Sequence, residues 1–279
     1  MQYGIYVPNF GEETTVRSLA TLAHEAEEAG WDGFFIWDHI LYSKSSSLPM
    51  VDPWIALTAM AMTTERIRIG TTVTPLPRRH PWKLARETAS LDHLSNGRLI
   101  LGVGLGYPPD AEFSQFGEEA NDRIRAAKLD EGLDVLAGLW SGKPFRYAGE
   151  HYHIQKTTFL PPTLQVPRIP IWVAGYWPNK PPFRRAARWD GVLPLKLGGP
   201  MKPGDISEIV AFIQEHRSGK GPFDVVTIGH TPGDDPVKGA KKVAPLVSSG
   251  VTWWLESLYG SRNSFEDMRN RIRQGPPRG

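Results

Sequence analysis

Residues 91–104 read LDHLSNGRLILGVG and contain the end of a helix, a tight turn and a buried strand. Leu91 and Leu94 are the last apolar positions of a segment with helical spacing. Asn96-Gly97 is a turn dipeptide that ends it. Leu99–Val103 then forms a continuous apolar run, which is typical of a strand covered on both faces. This stretch therefore predicts a helix that returns the chain to a parallel sheet.

The same alternation of strand and helix extends along the chain in both directions. Eight short apolar runs are candidate strands: Gln2–Val7, Gly33–Trp37, Ile67–Val73, Leu99–Val103, Pro170–Ala174, Gly191–Leu195, Asp224–Ile228 and Val251–Glu256. Strands that alternate with helices form a parallel sheet, because each crossover helix returns the chain to the same end. Eight such units predict an α/β protein with a closed (β/α)8 TIM barrel. An open doubly wound sheet is the alternative.

Helical segments with apolar residues three and four positions apart separate the strands. Asp52-Pro53 and Asp235-Pro236 each place a capping residue before a proline at the first helical position. Ser264 to Asp267 has the spacing of a capping box before the last helix. The fifth helix, around Phe183 to Trp189, has the weakest pattern.

The fourth and fifth units are separated by an inserted segment, about residues 141–169. Phe145–Ile154 has the pattern of a hairpin and is followed by a proline-rich connection. Prolines and glycines are spread among the junctions rather than gathered in a linker, so residues 1–279 are predicted to form a single domain. The tail Gln274–Gly279 is predicted to be frayed.

The composition excludes several classes of site. The formal charge is +2 and no basic face stands out, so a nucleic-acid partner is not predicted. The absence of cysteine excludes disulfides, thiolate zinc sites and cysteine nucleophiles. No run reaches the roughly 18 apolar residues of a membrane span, and Met1-Gln2 leads directly into a strand without a signal peptide. A cytoplasmic protein without a membrane partner is expected.

A barrel of this type carries its active site at the carboxyl ends of the strands. Polar and small residues follow each candidate strand, in chain order Asn9; Asp38 and His39; Thr71, Thr72 and Thr74; Gly104, Gly106 and Tyr107; Gly175, Tyr176 and Trp177; Lys196; His230; and Glu256 with Ser257. We expect these residues to form one polar rim.

Asp38-His39 is the candidate for proton chemistry, because histidine titrates near neutral pH and a carboxylate can orient it. The alternative is that Asp38 caps a loop and His39 packs on the rim.

Gly102, Gly104 and Gly106 lack the spacing of a dinucleotide fingerprint. They would let a flat ring or a phosphate approach the backbone, or else allow tight packing of the barrel. His151-x-His153 resembles a metal pair, but it lies in the inserted hairpin without an acidic ligand, so no metal site is predicted.

Three longer stretches resemble the luciferase-like monooxygenase superfamily. They are residues 30–39 (GWDGFFIWDH), residues 66–71 (RIRIGT) and the opening stretch 91–104, with further landmarks at 130–132, 139–140, 147–152 and 169–175. The resemblance covers residues 1 to about 195.

The resemblance implies a barrel that binds a flavin or the deazaflavin coenzyme F420 at the strand ends, and a preference for homodimers. The Asp38-His39 pair is similar to that of the F420 branch, in which the histidine lies near the reactive ring position; the flavin mononucleotide (FMN) branch more often has Glu-His-His. The implied cofactor-binding residues are Asp38, Thr71, Thr72, Val73, Gly104, Gly106, Tyr107, Ala174, Gly175 and Tyr176. A cis peptide is expected at Thr72–Val73. The chain departs from the family after the fifth strand, where Gly175-Tyr176-Trp177-Pro178-Asn179 replaces a glycine-rich phosphate loop.

Together these features predict hydride transfer between F420 and a small organic substrate, with His39 as general acid or base and Asp38 orienting it. One alternative is an FMN-dependent monooxygenase that receives reduced flavin from a separate reductase. Another is a non-catalytic flavin-binding protein on the same scaffold.

Overall fold

A computed structural model of the chain describes residues 1–45, 48–259 and 264–278. Eight parallel strands form a closed barrel in the order β1-β10-β9-β8-β7-β4-β3-β2. The strands are β1 (Gln2–Val7), β2 (Gly33–Ile36), β3 (Arg68–Pro75), β4 (Leu99–Gly104), β7 (Ile171–Trp177), β8 (Gly191–Lys196), β9 (Asp224–Gly229) and β10 (Trp253–Ser257). The predicted (β/α)8 barrel is confirmed, and the open sheet is excluded by the pairing of β1 with β10.

Helices connect the strands around the outside of the barrel. They are α1 (Val16–Glu28), α2 (Pro53–Thr63), α3 (Pro81–Leu94), α4 (Pro109–Glu112), α5 (Asp122–Trp140), α6 (Lys180–Ala186), α7 (Pro203–His216), α8 (Pro236–Ser248) and α9 (Phe265–Arg273). The fifth predicted helix begins earlier than expected, as α6. The short helix α4, which the sequence did not predict, follows β4 directly.

The inserted segment contains the predicted hairpin, with strands β5 (Phe145–Ala148) and β6 (His153–Thr157) in antiparallel pairing. The carboxylate of Glu131, on α5, accepts backbone N–H groups of Glu150, His151 and Tyr152. The turn of the hairpin is thereby attached to the outer surface of the barrel.

Aromatic rings fill the interior of the barrel below the site. Phe35, Trp172 and Trp253 project inward, with ring centroids 5.0 to 5.6 Å apart. All three are almost completely buried. Such a packed interior is typical of this barrel, which has no pore. The open space in the interior is therefore confined to the carboxyl ends of the strands.

The carboxyl-terminal residues 274–278 are packed against the barrel rather than frayed. Pro277 is buried, and the Arg278 guanidinium lies 2.7 Å from the Asp32 carboxylate. Gly279, the last residue of the predicted tail, lies outside the described residues. The composition of the tail suggested fraying, but the ion pair with Asp32 could not be seen from sequence. In the described parts of the chain, no helix combines the length and apolar character needed to cross a membrane.

Candidate active site

A cavity of about 300 Å³ opens at the carboxyl ends of the barrel strands. Nine of the ten residues implied as cofactor-binding line it, together with His39: Asp38, Thr72, Val73, Gly104, Gly106, Tyr107, Ala174, Gly175 and Tyr176. The barrel thus brings together residues that are more than 130 positions apart in sequence. Its other walls include Tyr6, Trp37, Arg125 and Arg185.

Thr71, the tenth implied residue, does not line the cavity. Its side chain is fully buried and donates to the Gly102 carbonyl at 3.1 Å, while Thr74 donates to the Thr71 hydroxyl at 2.9 Å. Side chains alternate between the two faces of a strand, so neighbouring Thr72 faces the interior when Thr71 packs within the wall. Thr71 therefore packs within the barrel wall, unlike the other nine residues that the resemblance implies.

His39 is held by a carboxylate that the sequence did not identify. Its Nδ1 lies 2.8 Å from Oε1 of Glu112, which is the last residue of α4 and is fully buried. A carboxylate oxygen only accepts hydrogen bonds, so the proton of this contact is on Nδ1. Nε2 is consequently the ring nitrogen that can exchange a proton with a bound molecule. The side chain of His39 retains 16% of its exposure.

Glu112 also fixes the loop in which His39 lies. Its Oε1 accepts the backbone N–H groups of Ile40 and Leu41 at 3.1 and 3.2 Å, and its Oε2 lies 3.1 Å from the Arg78 guanidinium. These donors satisfy a buried charge that would otherwise be costly. Because these donors hold the Glu112 carboxylate in place, the carboxylate in turn fixes the orientation of the imidazole.

Asp38 does not orient His39, contrary to the sequence prediction. Its carboxylate binds Arg79 at 2.7 and 2.8 Å and Arg78 at 3.3 Å. Arg78 also contacts Glu112, so it connects the two carboxylates. Adjacent residues at a strand end point in different directions, which separates Asp38 from the imidazole beside it. Asp38 lines the cavity as one member of a charge-balanced network of two carboxylates and two guanidinium groups.

Asn9, at the end of β1, supports the backbone on the other side of His39. Its Nδ2 donates to the carbonyls of His39 and Val51, and its Oδ1 accepts the His39 N–H at 3.2 Å. Asn9 is fully buried. An amide with donors and an acceptor can join two chain segments in this way.

Aromatic rings surround the imidazole on the side away from Glu112. The rings of Trp37, Tyr42 and Phe10 have centroids 5.6, 5.2 and 5.9 Å from that of His39. Tyr259, from the loop after β10, packs 5.0 Å from Trp37, and its hydroxyl lies 3.3 Å from that of Tyr42. The hydrogen bond with Tyr259, together with burial, raises the pKa of Tyr42 to about 12. Tyr42 is therefore a neutral hydroxyl at physiological pH.

Thr72, Val73 and Gly104 form a mostly apolar part of the cavity wall. The Thr72–Val73 peptide is cis, as the resemblance implied. Val73 faces Gly104, where an added Cβ would lie 2.9 Å from Cγ2 of Val73. The Thr72 hydroxyl is buried in the same wall with no hydrogen-bond partner among the described residues. An apolar surface beside an unsatisfied polar atom fits a planar ring with a polar edge.

Two arginines, Arg125 and Arg185, are among the lining residues of the cavity. Arg125 binds the carbonyls of Leu105 and Gly106 at 2.9 Å and the Asp122 carboxylate at 2.6 Å. Arg185 forms a two-pronged pair with Asp130 at 2.6 and 2.7 Å. Gly106 has a left-handed φ of 88°, a conformation for which glycine is preferred. The hydrogen bonds from Arg125 to Leu105 and Gly106 stabilise the bend after β4.

Several strand-end residues that the sequence placed on the polar rim do not line the cavity. Lys196 is paired with Asp205 at 2.7 Å. Glu256 is fully buried, with partners on Thr231, Trp254 and Arg271. Trp177 packs on Phe183. Among residues 1–45, 48–259 and 264–278, no group of three His, Cys, Asp or Glu side chains is arranged to hold a metal ion.

Comparison with known proteins places this site in a family. A family model described as luciferase-like monooxygenase matches residues 1–235. An uncharacterized protein of Mycobacterium tuberculosis is 30% identical in an alignment of 277 positions that covers 90% of each chain. An F420-dependent glucose-6-phosphate dehydrogenase of Nakamurella multipartita is 32% identical over 57% of this chain and 47% of its own. The oxygenase component of a flavin-dependent trigonelline monooxygenase of Acinetobacter baylyi is 36% identical over 53% of this chain and 41% of its own.

Solved structures give the same fold. An F420-dependent secondary alcohol dehydrogenase in complex with an F420-acetone adduct superposes with a TM-score of 0.81 at 15% identity, over 99% of this chain and 98% of that one. The oxygenating constituent of 3,6-diketocamphane monooxygenase from Pseudomonas putida, in complex with FMN, gives 0.76 at 15% identity, over 98% and 96%. At these identities the likeness is one of fold.

Proposed function

The chain is an oxidoreductase of the luciferase-like monooxygenase family, and from this premise we propose that its cavity binds coenzyme F420 and passes a hydride between that coenzyme and a small organic substrate. The observation that carries the proposal is the fixed imidazole of His39, bound through Nδ1 to buried Glu112, in the wall of a cavity that fits a planar ring.

The ring would be held by Thr72, Val73 and Gly104. Val73 and Gly104 give it an apolar contact, and the Thr72 hydroxyl is available to its polar edge. Arg125 and Arg185 also line the cavity, and an anionic tail would share their guanidinium groups with the carboxylates of Asp122 and Asp130. Bound there, the deazaflavin supplies two-electron hydride chemistry. The protein supplies position and electrostatics.

His39 would move the proton that accompanies the hydride. With Nδ1 directed to Glu112, Nε2 accepts the hydroxyl proton of an alcohol, or returns it to a carbonyl oxygen in the reverse direction. Glu112 keeps the ring in this tautomer, and Asn9 keeps the backbone in place. The rings of Trp37 and Tyr42 pack against His39 and would limit the access of water to the imidazole.

The first test is direct binding of both cofactors, followed by turnover with His39→Ala. We expect F420 to bind more tightly than FMN. His39→Ala should lower kcat/KM by about 10² to 10⁴ while the Kd for F420 changes little, because the imidazole transfers a proton rather than carrying the cofactor. His153→Ala, on the exposed β6, is the matched control. Undiminished turnover in His39→Ala rejects the assignment.

An FMN-dependent monooxygenase is the second candidate, favoured by the 36% identity with the trigonelline monooxygenase component. It would take reduced flavin from a separate reductase and consume oxygen. Oxygen uptake with reduced FMN, but no reaction with F420, selects this candidate. Tight cofactor binding without turnover over a broad substrate panel selects a flavin-binding protein instead.

We also propose a homodimer, as the family resemblance implies. The supporting observation is an uncharged outer surface on α2, where Ile55 and Met62 are exposed to 61% and 68%.

A further inference from the structure

A second cavity, of about 310 Å³, lies outside the barrel, near the carboxyl ends of strands β1 and β10. We call it the outer groove. It lies between α1, α9 and the loops that follow β1 and β10, and Phe10, Leu22, Leu48, Leu258 and Met268 are among its lining residues. Leu22, Leu258 and Met268 are buried, and Leu48 is 39% exposed at the rim. A space of this size accommodates a molecule with one hydrocarbon ring or a short chain.

Among the described lining residues of the outer groove, the charged side chains are both acidic. Glu12 and Glu13 line it and are both exposed, and no basic side chain is among its described lining residues. Glu13 accepts the backbone N–H of Phe265 through Oε2 at 2.9 Å, which fixes its carboxylate at this position. An apolar cavity with carboxylates in its lining is complementary to a molecule with a hydrocarbon body and a cationic head. It would repel an anion of the same shape.

The outer groove shares a wall with the candidate active site. Phe10 and Tyr259 line the groove, and the same two rings pack against His39 and Trp37, at 5.9 and 5.0 Å between centroids. The groove is therefore separated from the cavity around His39 by one layer of aromatic side chains. A ligand in the groove would adjoin Phe10, whose ring packs against the imidazole, and Tyr259, whose ring packs against Trp37.

We propose that the outer groove is a binding site for a small amphiphilic amine, separate from the cofactor cavity. The hydrocarbon part contacts Leu48 and the half-buried Phe265, with Met268 beneath them, and the ammonium group is attracted by Glu12 and Glu13. The proposal does not depend on which cofactor the barrel binds, because none of the groove residues named here lines the cofactor cavity.

The test uses the full chain without added cofactor. Binding of 2-phenylethylammonium is measured by isothermal titration calorimetry and compared with 2-phenylethanol and phenylacetate, which have similar bodies but neutral and negative heads. We expect the amine to bind most tightly and phenylacetate most weakly. An amine that binds no better than phenylacetate overturns the proposal.

Two sets of variants locate the site. Leu48→Trp fills the rim and should weaken amine binding at least tenfold. Leu164→Trp, at a residue of similar exposure (44%) in the connection after the hairpin, should leave it unchanged. The double variant Glu12→Gln with Glu13→Gln should remove the preference for the amine over the alcohol, since glutamine retains the acceptor for Phe265. Wild-type affinity in Leu48→Trp, or an unchanged preference in the double variant, places binding elsewhere and overturns the proposal. Circular dichroism of each variant excludes misfolding as the cause of a loss.

Discussion

Glu112 is the residue on which the orientation of His39 depends most directly. Its Oε1 receives the imidazole and two backbone N–H groups, so three donors converge on one buried atom. Arg78 reaches the other oxygen.

We expect Glu112→Gln to lower kcat/KM by about 10- to 100-fold, since a hydrogen bond to a charged group contributes about 1.5–3 kcal/mol. The pH dependence of kcat/KM should change as well, because an amide carries no charge at any pH in the assay. Cofactor affinity should stay near that of wild type. Glu118→Gln, at an exposed acidic residue soon after α4, is the control. A lower rate with the wild-type pH profile would indicate a purely structural role.

Sequence reasoning found His39 but paired it with the wrong carboxylate. Asp38 is adjacent in sequence, and adjacency is the only proximity that a single sequence displays. Glu112 lies 73 positions away on a helix of four residues, too short to give a periodic pattern. The available signal was an acidic residue shortly after the glycine-rich end of the fourth strand. Its distance to His39 depends on how β2 and β4 are placed around the barrel.

At the scale of elements, side-chain caps between helices and strands hold the barrel wall in register. Glu27, near the end of α1, accepts the backbone N–H groups of Glu65, Arg66 and Ile67, which lead into β3. Burial raises the pKa of Glu27, but these backbone donors outweigh it, so the pKa is lowered overall. The ionised form is thus favoured by the fold.

We expect Glu27→Gln to lower the free energy of unfolding at pH 7 by about 1–3 kcal/mol. Both carboxylate oxygens of Glu27 accept backbone N–H groups, whereas glutamine keeps one carbonyl acceptor, places an NH2 donor at the other position and carries no charge. A lowered pKa means that the unfolded chain takes up the proton first as the pH falls. The contribution of Glu27 is therefore complete above about pH 4.3 and is lost as the pH falls through the folded-state pKa. Urea denaturation at pH 7 and at pH 3.5 should show the difference from wild type shrinking in acid.

Glu28→Gln is the matched control for this effect. Glu28 is the next residue, its side chain is 63% exposed, and its contact with Arg66 is a surface ion pair at 3.5 Å. Such pairs contribute about 0–1 kcal/mol. If Glu27→Gln and Glu28→Gln lower the free energy of unfolding equally at pH 7, the role assigned to Glu27 is contradicted.

The elements themselves were largely predictable, and the exceptions have physical causes. The eight strands follow from apolar runs that must be covered on both faces, and the helix starts follow from Asp-Pro dipeptides. β7 continues beyond the predicted Ala174 to Trp177, because pairing with β8 persists as far as Lys196. No local pattern reports where a neighbouring strand ends.

At the scale of the whole molecule, the barrel divides its interior into a filled and an open half. The rings of Phe35, Trp172 and Trp253 close the lower half. The upper half keeps the cavity that His39, Val73 and Gly104 line together. The alternation of strands and helices predicted a parallel sheet, whereas closure rests on the long-range pairing of β1 with β10.

Helix α2 lies at the surface of the molecule, but its residues are mostly apolar, as in a buried helix. α2 spans Pro53–Thr63 and contains no charged residue. Ile55 and Met62 are nonetheless 61% and 68% exposed, and seven positions apart they lie on the same side of the helix. A helix that is apolar on all sides is normally covered. A second copy of the chain, packed against the same surface, would cover it with twofold symmetry.

We expect the wild-type chain to be a dimer in light scattering at micromolar concentration, and Ile55→Lys with Met62→Glu to be a monomer. Removing two large apolar side chains from the centre of an interface and introducing desolvated charges should raise the dimer Kd at least 100-fold. Leu160→Lys, at an equally exposed leucine (64%) in the connection after the hairpin, is the control and should remain dimeric. Because Ile55 and Met62 already face outward, thermal unfolding of the monomeric variant should resemble that of the control at low protein concentration. A wild-type monomer, or a dimer that survives both substitutions, means that this surface of α2 is not the interface.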